Sequence, residues 1–204
     1  MFRIGLAGGI GSGKSRVSEL FAARGIPVFD CDSQAKSLMS GNHSIRESLI
    51  EATGIDFYCG EYIDKERLSA FIFSSPDNAA SVNGVIHPMV LECFDKWCEE
   101  LEQEGVQVCA VESAILFESG LRSHIDFVVV VDAPDRLRIK RAMMRDGAAR
   151  DSIIRRTNAQ MSRKKMLSQA DAVIDNSGDE VNLNKETERV LEIIMSSVRQ
   201  INNQ

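Results

Sequence analysis

Eight consecutive residues near the start, Gly8-Gly9-Ile10-Gly11-Ser12-Gly13-Lys14-Ser15, constrain this chain more than any others. They satisfy the pattern G-x-x-x-x-G-K-[ST] at every fixed position. Without a Cβ, glycine lets successive backbone N–H groups turn inward, so Gly9, Gly11, Ser12 and Gly13 can form a nest for phosphate oxygens. A helix beginning at the end of the nest adds its positive end and its unpaired amides. Lys14 then supplies a point charge for the β- and γ-phosphates, and the Ser15 hydroxyl supplies a magnesium ligand. The competing reading is a flexible glycine-rich turn. The flanks argue against it, because Phe2 to Ala7 reads as a short buried strand and Val17, Leu20 and Phe21 follow at helical spacing. Gly25 and Pro27 end that helix. ATP and magnesium are the expected cofactors. The loop alone leaves hydrolysis, transfer and sensing open.

Beyond the loop, valine-rich runs alternate with helical patterns. Val28 and Phe29, Val106 to Val111, Phe127 to Val131 and Ala172 to Ile174 are strand candidates, too apolar for a sheet wetted on one face. They predict an α/β fold with a parallel sheet covered by helices on both sides. Ser33 to Gly105 shows no strand pattern and instead three helical stretches, Ile45 to Ala52, Lys65 to Phe73 and Asn78 to Glu104. Residues after Asn182 form one amphipathic helix with Val190, Leu191, Ile194 and Val198 on one side.

Charge and composition limit the partners. A net charge of −6 argues against nonspecific nucleic-acid binding, and the longest apolar run is far too short to cross a membrane. The start of the chain lacks the apolar region and cleavage site of a secretory signal, so a cytoplasmic location is expected. Five cysteines without a C-x-x-C pair predict reduced, largely buried thiols and no structural metal site. One stretch departs from the acidic average: Asp135 to Lys165 holds 11 Lys or Arg against 3 Asp. A solvated helix face and a segment that closes over phosphate are both consistent with it.

The later motifs are individually weak but fall in one order: DCDSQAK at Asp30 to Lys36, IHP at Ile86 to Pro88, AILFE at Ala114 to Glu118 and ADAVIDNSG at Ala170 to Gly178. With GLAGGIGSGKS before them, they make the chain resemble the dephospho-CoA kinase family from about residue 2 to 180. The resemblance implies a single P-loop NTPase domain with a five-stranded parallel sheet flanked by helices. Its core would span about residues 1–32, 105–134 and 170–204, with a helical substrate-binding lobe at about 33–104 and a lid at about 135–169. It further implies phosphorylation of the 3′-hydroxyl of dephospho-CoA by ATP.

Mapped onto this chain, the family pattern places Asp32 beside the acceptor hydroxyl, where a carboxylate can accept or orient a proton. Helix capping is the alternative for Asp32, and capping or support is the expectation for Asp30. Glu112, where the family usually has aspartate, is placed near magnesium or is a structural carboxylate. His87 is placed on the acceptor or is a packing residue. Arg141 and Arg145 match the lid arginines, four apart on one helix face, whereas Arg138 and Lys140 read as solvent-facing charges. Asn176 matches the loop near adenine, although Asn-Ser-Gly is also simply a turn. Arg16 stands where the family has threonine, beside the nucleotide, and Lys36 replaces an arginine on the substrate side and loses its bidentate geometry. Ala114 stands where the family has proline.

Two rivals remain at this level. One is a kinase for a nucleoside monophosphate or another small alcohol, and the other is a noncatalytic nucleotide sensor. A monomer or weak homo-oligomer acting on a small molecule is the expectation.

Overall fold

The structure, a computed structural model, describes residues 1–40 and 43–202. Residues 41 and 42, within the expected helical lobe, and 203 and 204, within the last expected core span, lie outside the described residues. In chain order the elements are β1 (Phe2–Ala7), α1 (Lys14–Ala22), β2 (Val28–Asp30), α2 (Cys31–Met39), α3 (His43–Thr53), β3 (Tyr58–Cys59), β4 (Tyr62–Ile63), α4 (Lys65–Ile72) and α5 (Pro76–Gln103). They continue with β5 (Val108–Glu112), β6 (Phe127–Asp132), α6 (Asp135–Asp146), α7 (Arg150–Asn158), α8 (Arg163–Leu167), β7 (Ala172–Asp175) and α9 (Glu180–Asn202). These elements fall into two compact units, Met1–Phe29 with Gly105–Gln204, and Asp30–Glu104.

In the first unit the valine-rich runs become a five-stranded sheet in the order β2-β5-β1-β6-β7. The pairs β1–β5, β1–β6 and β6–β7 are parallel. Continuous apolar strands suit a sheet buried on both faces: Ile4, Leu6, Val111, Val128 and Val129 are wholly inaccessible to solvent. One cluster joins these strands to Val17 and Phe21 of α1 and to Val190, Leu191, Ile194 and Val198 of α9. The register pairs Leu6 with Glu112, Ala7 with Val130 and Asp132 with Asp175. The loops after β1, β5, β6 and β7 therefore leave the sheet at its carboxyl edge, with β1 central. In open α/β sheets that edge is where ligands bind.

The second unit is built on α5, 28 residues long, against which α2, α3 and α4 pack. Its buried positions Val82, Ile86, Val90, Phe94, Cys98 and Leu101 recur every three or four residues. Pro88 lies inside this helix, and the residue four before it, whose carbonyl a proline ring crowds, is Gly84. The short hairpin β3–β4 interrupts the stretch that had shown no strand pattern. Two-residue strands bury too little to leave a periodic signature. Arg46 ties this hairpin to α3 by bonding Asp56 and the Gly60 carbonyl while lying 5.2 Å from the Tyr58 ring centre.

Cys31, Cys98 and Cys109 are buried and Cys59 is exposed. Among the described residues, no helix is long and apolar enough to cross a membrane.

Candidate active site

Three later segments of the chain hold the phosphate loop in place. Gly13 has φ of +97°, and a Cβ there would overlap the Asn176 side-chain amide. Glycine is thus required twice over at this position, by conformation and by space. Gly13 is also the residue that opens α1, and no side chain caps that helix. The amides at its start are left for an anionic ligand. Asn176, buried just past β7, donates from Nδ2 to the Ser12 carbonyl at 2.7 Å. Arg141 on α6 donates from Nη1 to the Asn176 carbonyl at 2.9 Å. Ser12, Asn176 and Arg141 therefore form one chain of contacts across the carboxyl edge, and the Asn176 amide serves the loop itself. Ser12 Oγ is buried with no hydrogen-bond partner among the described residues.

The polar mouth of the loop lies between α1 and β5. Ser15 Oγ donates to Glu112 Oε1 at 2.9 Å, and Ser18 Oγ donates to the other carboxylate oxygen at 2.7 Å. Lys14 Nζ donates to the Gly8 carbonyl at 2.9 Å. Ser18 was not singled out in the sequence, although its place three residues after Ser15 puts it on the same side of α1. The donor set fits magnesium. Ser15 and Glu112 offer hard oxygens side by side, and among the described residues no group of three acidic, histidine or cysteine side chains could form an all-protein cage. Magnesium is characteristically bound by one or two protein oxygens together with water and substrate phosphate.

Arg138 corrects the sequence reading. Rather than facing solvent, it is 6% exposed, and its guanidinium lies so close over Gly9 that a Cβ there would overlap it. It pairs with Asp135 at 2.6 Å, and its Nε has no hydrogen-bond partner among the described residues. The signal available was its spacing three residues before Arg141, which puts both on the face of α6 turned to the loop. Lys140 is exposed, as read. Next to Arg138 a cavity of about 320 Å³ is lined by Gly9, Asp132, Asp135, Gln160 and Arg163, with Val130 and Met166 among its apolar lining. Gly9 is the one loop residue on its wall, so the cavity borders the loop at its first turn.

The remaining basic residues have defined partners. Arg16 is held by Glu19 and Glu180, each at 2.5 Å, and so fastens α1 to the start of α9. Arg145 bonds Asp146 at 2.6 Å, and Arg156 reaches the same carboxylate at 2.7 Å. These guanidinium groups, Arg145 first, hold the Asp146 carboxyl at about 2 against the opposing effect of burial. Arg163 makes a two-pronged contact with Asp132, at 2.8 and 2.6 Å. Arg145 thus shares a helix with Arg141 and pairs with Asp146.

In the second unit, Asp30 accepts from the Asp32 and Ser33 amides and from the Ser33 hydroxyl, which makes it the cap of α2. With capping done by Asp30, the Asp32 carboxylate stands exposed in the first turn, and Lys36 lies exposed one turn further on. His87 is half-buried on α5, immediately before Pro88.

Comparison with known proteins identifies the family. Residues 2–182 match the family model described as dephospho-CoA kinase. A dephospho-CoA kinase from Porphyromonas gingivalis is 45% identical over 172 residues, covering 84% of this chain and 83% of that protein. The crystal structure of TT1252 from Thermus thermophilus superposes with a TM-score of 0.79 at 29% identity, covering 96% of this chain and 97% of that one. The dephospho-CoA kinase from Campylobacter jejuni has the same fold, with a TM-score of 0.69 at 21% identity over 96% of this chain and 98% of that one. With its phosphate loop, its parallel sheet and its match over nearly the whole length, the chain belongs to the dephospho-CoA kinase family.

Proposed function

We propose that the chain transfers the γ-phosphoryl group of ATP to the ribose 3′-hydroxyl of dephospho-CoA, giving CoA and ADP. The observation that carries the nucleotide half is the uncapped start of α1, whose first turn holds Ser15 against Glu112 at the carboxyl edge of the sheet. Family membership supplies the acceptor.

The loop amides from Gly9 to Ser15 bind the β- and γ-phosphates, and Lys14 exchanges the Gly8 carbonyl for a phosphate oxygen. Ser15 and Glu112 would hold magnesium, which when bound neutralises charge on the β- and γ-oxygens. Ser18 keeps the Glu112 carboxylate turned toward Ser15. Arg141 adds positive charge at the transferred group, and Arg145 joins it on leaving Asp146. The backbone of Asn176 to Gly178 borders the adenine.

Asp32 accepts the proton of the 3′-hydroxyl as that oxygen bonds to the γ-phosphorus and the bond to the ADP oxygen breaks. Lys36 and His87 bind the acceptor. Positioning and charge neutralisation carry most of the rate, because a loose phosphoryl transition state needs little covalent assistance. The same proposal places the enzyme in the cytoplasm, as a monomer or weak homo-oligomer with no nucleic-acid partner.

An ADP-release assay with dephospho-CoA, adenosine and AMP as parallel acceptors tests the reading. Dephospho-CoA alone should give strong turnover. Equal turnover with AMP would assign the chain to nucleoside monophosphates instead, and none with any acceptor would remove the transferase reading.

A further inference from the structure

The phosphate loop begins with a tight turn. The Ser12 N–H donates to the Gly9 carbonyl at 3.0 Å, with Ile10 and Gly11 at the corners and Gly11 at φ of +75°. A turn of this kind satisfies its first carbonyl and its last amide but leaves the amide of its first corner residue pointing outward. Here that amide belongs to Ile10, and it donates to Gln160 Oε1 at 3.0 Å.

Gln160 lies in the short link between α7 and α8, in the basic region of the chain. Its Nε2 donates to the Ala114 carbonyl, just past β5, at 2.9 Å. With a backbone donor on one side and a backbone acceptor on the other, only one orientation of the side-chain amide satisfies both. The next residue, Met161, donates its N–H to the Glu118 carboxylate at 2.7 Å. Two successive residues of the link are thus fastened to the segment from Ala114 to Glu118, and Gln160 carries that anchorage onto the loop. No other amino acid of similar length offers both an acceptor and a donor at the same place: glutamate lacks the donor and methionine lacks both strong groups.

We propose that Gln160 is a positioning residue for triphosphate binding. Held by Ala114, it fixes the crest of the turn through Ile10 and so sets the direction of the amides that follow, from Gly11 to Ser15. The inference rests on the loop being the ATP site. Those amides grip the β- and γ-phosphates, so the effect falls on ATP and spares ligands without them.

The test is Gln160→Met, which keeps the volume and removes both hydrogen bonds. Calorimetric affinity for ATP with magnesium should fall about tenfold, the size expected when one or two part-buried hydrogen bonds are lost. KM for ATP should rise in step, while AMP affinity and KM for dephospho-CoA stay within about twofold. A merely structural role would lower the melting temperature and weaken all three ligands together, and that outcome would overturn the proposal. Unchanged ATP affinity in a folded variant would do the same. Hydrogen exchange of the wild-type protein without nucleotide gives an independent reading: the Ile10 amide should be protected, and exchange as fast as an open loop would refute the contact. If wild type itself bound no ATP, the fault would lie with the reading of the loop rather than with Gln160.

Discussion

At the scale of single residues, chemistry and neighbourhood separate cleanly. Lys14, Ser15 and Glu112 could be picked out in the sequence because a fixed spacing or a strand end placed them, and the structure brings Ser15 and Glu112 to 2.9 Å. Arg138 could not be read the same way. Among the 11 basic residues from Asp135 to Lys165, its spacing from Arg141 gives the helix face it occupies but not what that face meets. Asn176 was found by its motif, but what its amide does, holding Ser12, came only from the fold. Two substitutions test the assigned chemistry. Lys14→Ala should abolish turnover and weaken ATP binding, measured by ADP release and calorimetry. Asp32→Asn should leave ATP affinity nearly intact while slowing transfer by on the order of 10²-fold or more, the loss expected for a general base. Wild-type turnover from Asp32→Asn would end that assignment.

At the scale of elements, the long strands and helices were readable and the small ones were not. β5, β6 and α9 announced themselves by valine runs and by apolar spacing, because burial on both faces leaves a continuous apolar run and burial on one face leaves a period. The β3–β4 hairpin left none. The division of the basic stretch into α6, α7 and α8 was also hidden, since its helical pattern runs on and Gly147 marks a single break. Asp146, the last residue of α6, joins that helix to α7 through Arg156. Its carboxyl lies at about 2, below the usual value of 3.8. A carboxyl with a lowered folded-state value contributes stability above its unfolded value, and that contribution fades as pH falls from about 3.8 toward 2. Asp146→Asn should therefore melt below wild type at neutral pH, and the gap should close through that window. Thermal melts across the acid range measure it, and a gap independent of pH would rule out the carboxylate as its source.

For the whole molecule, the assigned residues divide between the two units. The phosphate loop, Glu112 and Arg141 belong to one, and Asp32, Lys36 and His87 to the other. A ligand that binds only the folded state stabilises it by about 2.7 kcal/mol at one hundred times its dissociation constant. For a chain of this size that corresponds to a rise of roughly 5 to 10 °C in melting temperature. ATP with magnesium should produce such a rise in scanning fluorimetry, and a chelator should remove most of it by leaving the triphosphate charge unneutralised. An equal shift with the metal chelated would exclude the Ser15–Glu112 pair as a magnesium site.

The sequence by itself determined the phosphate loop, the parallel α/β class and the family, because each depends on local spacing or on motifs that survive as linear order. Only the tertiary structure decided which cation is buried over the loop, which amide braces it from behind and which residue of the basic stretch pins its crest. Those roles belong to Arg138, Asn176 and Gln160, whose loop contacts lie more than a hundred residues away along the chain. No period or spacing encodes a meeting of that kind. It arises when strands pair in one register and bring their carboxyl ends to a common edge.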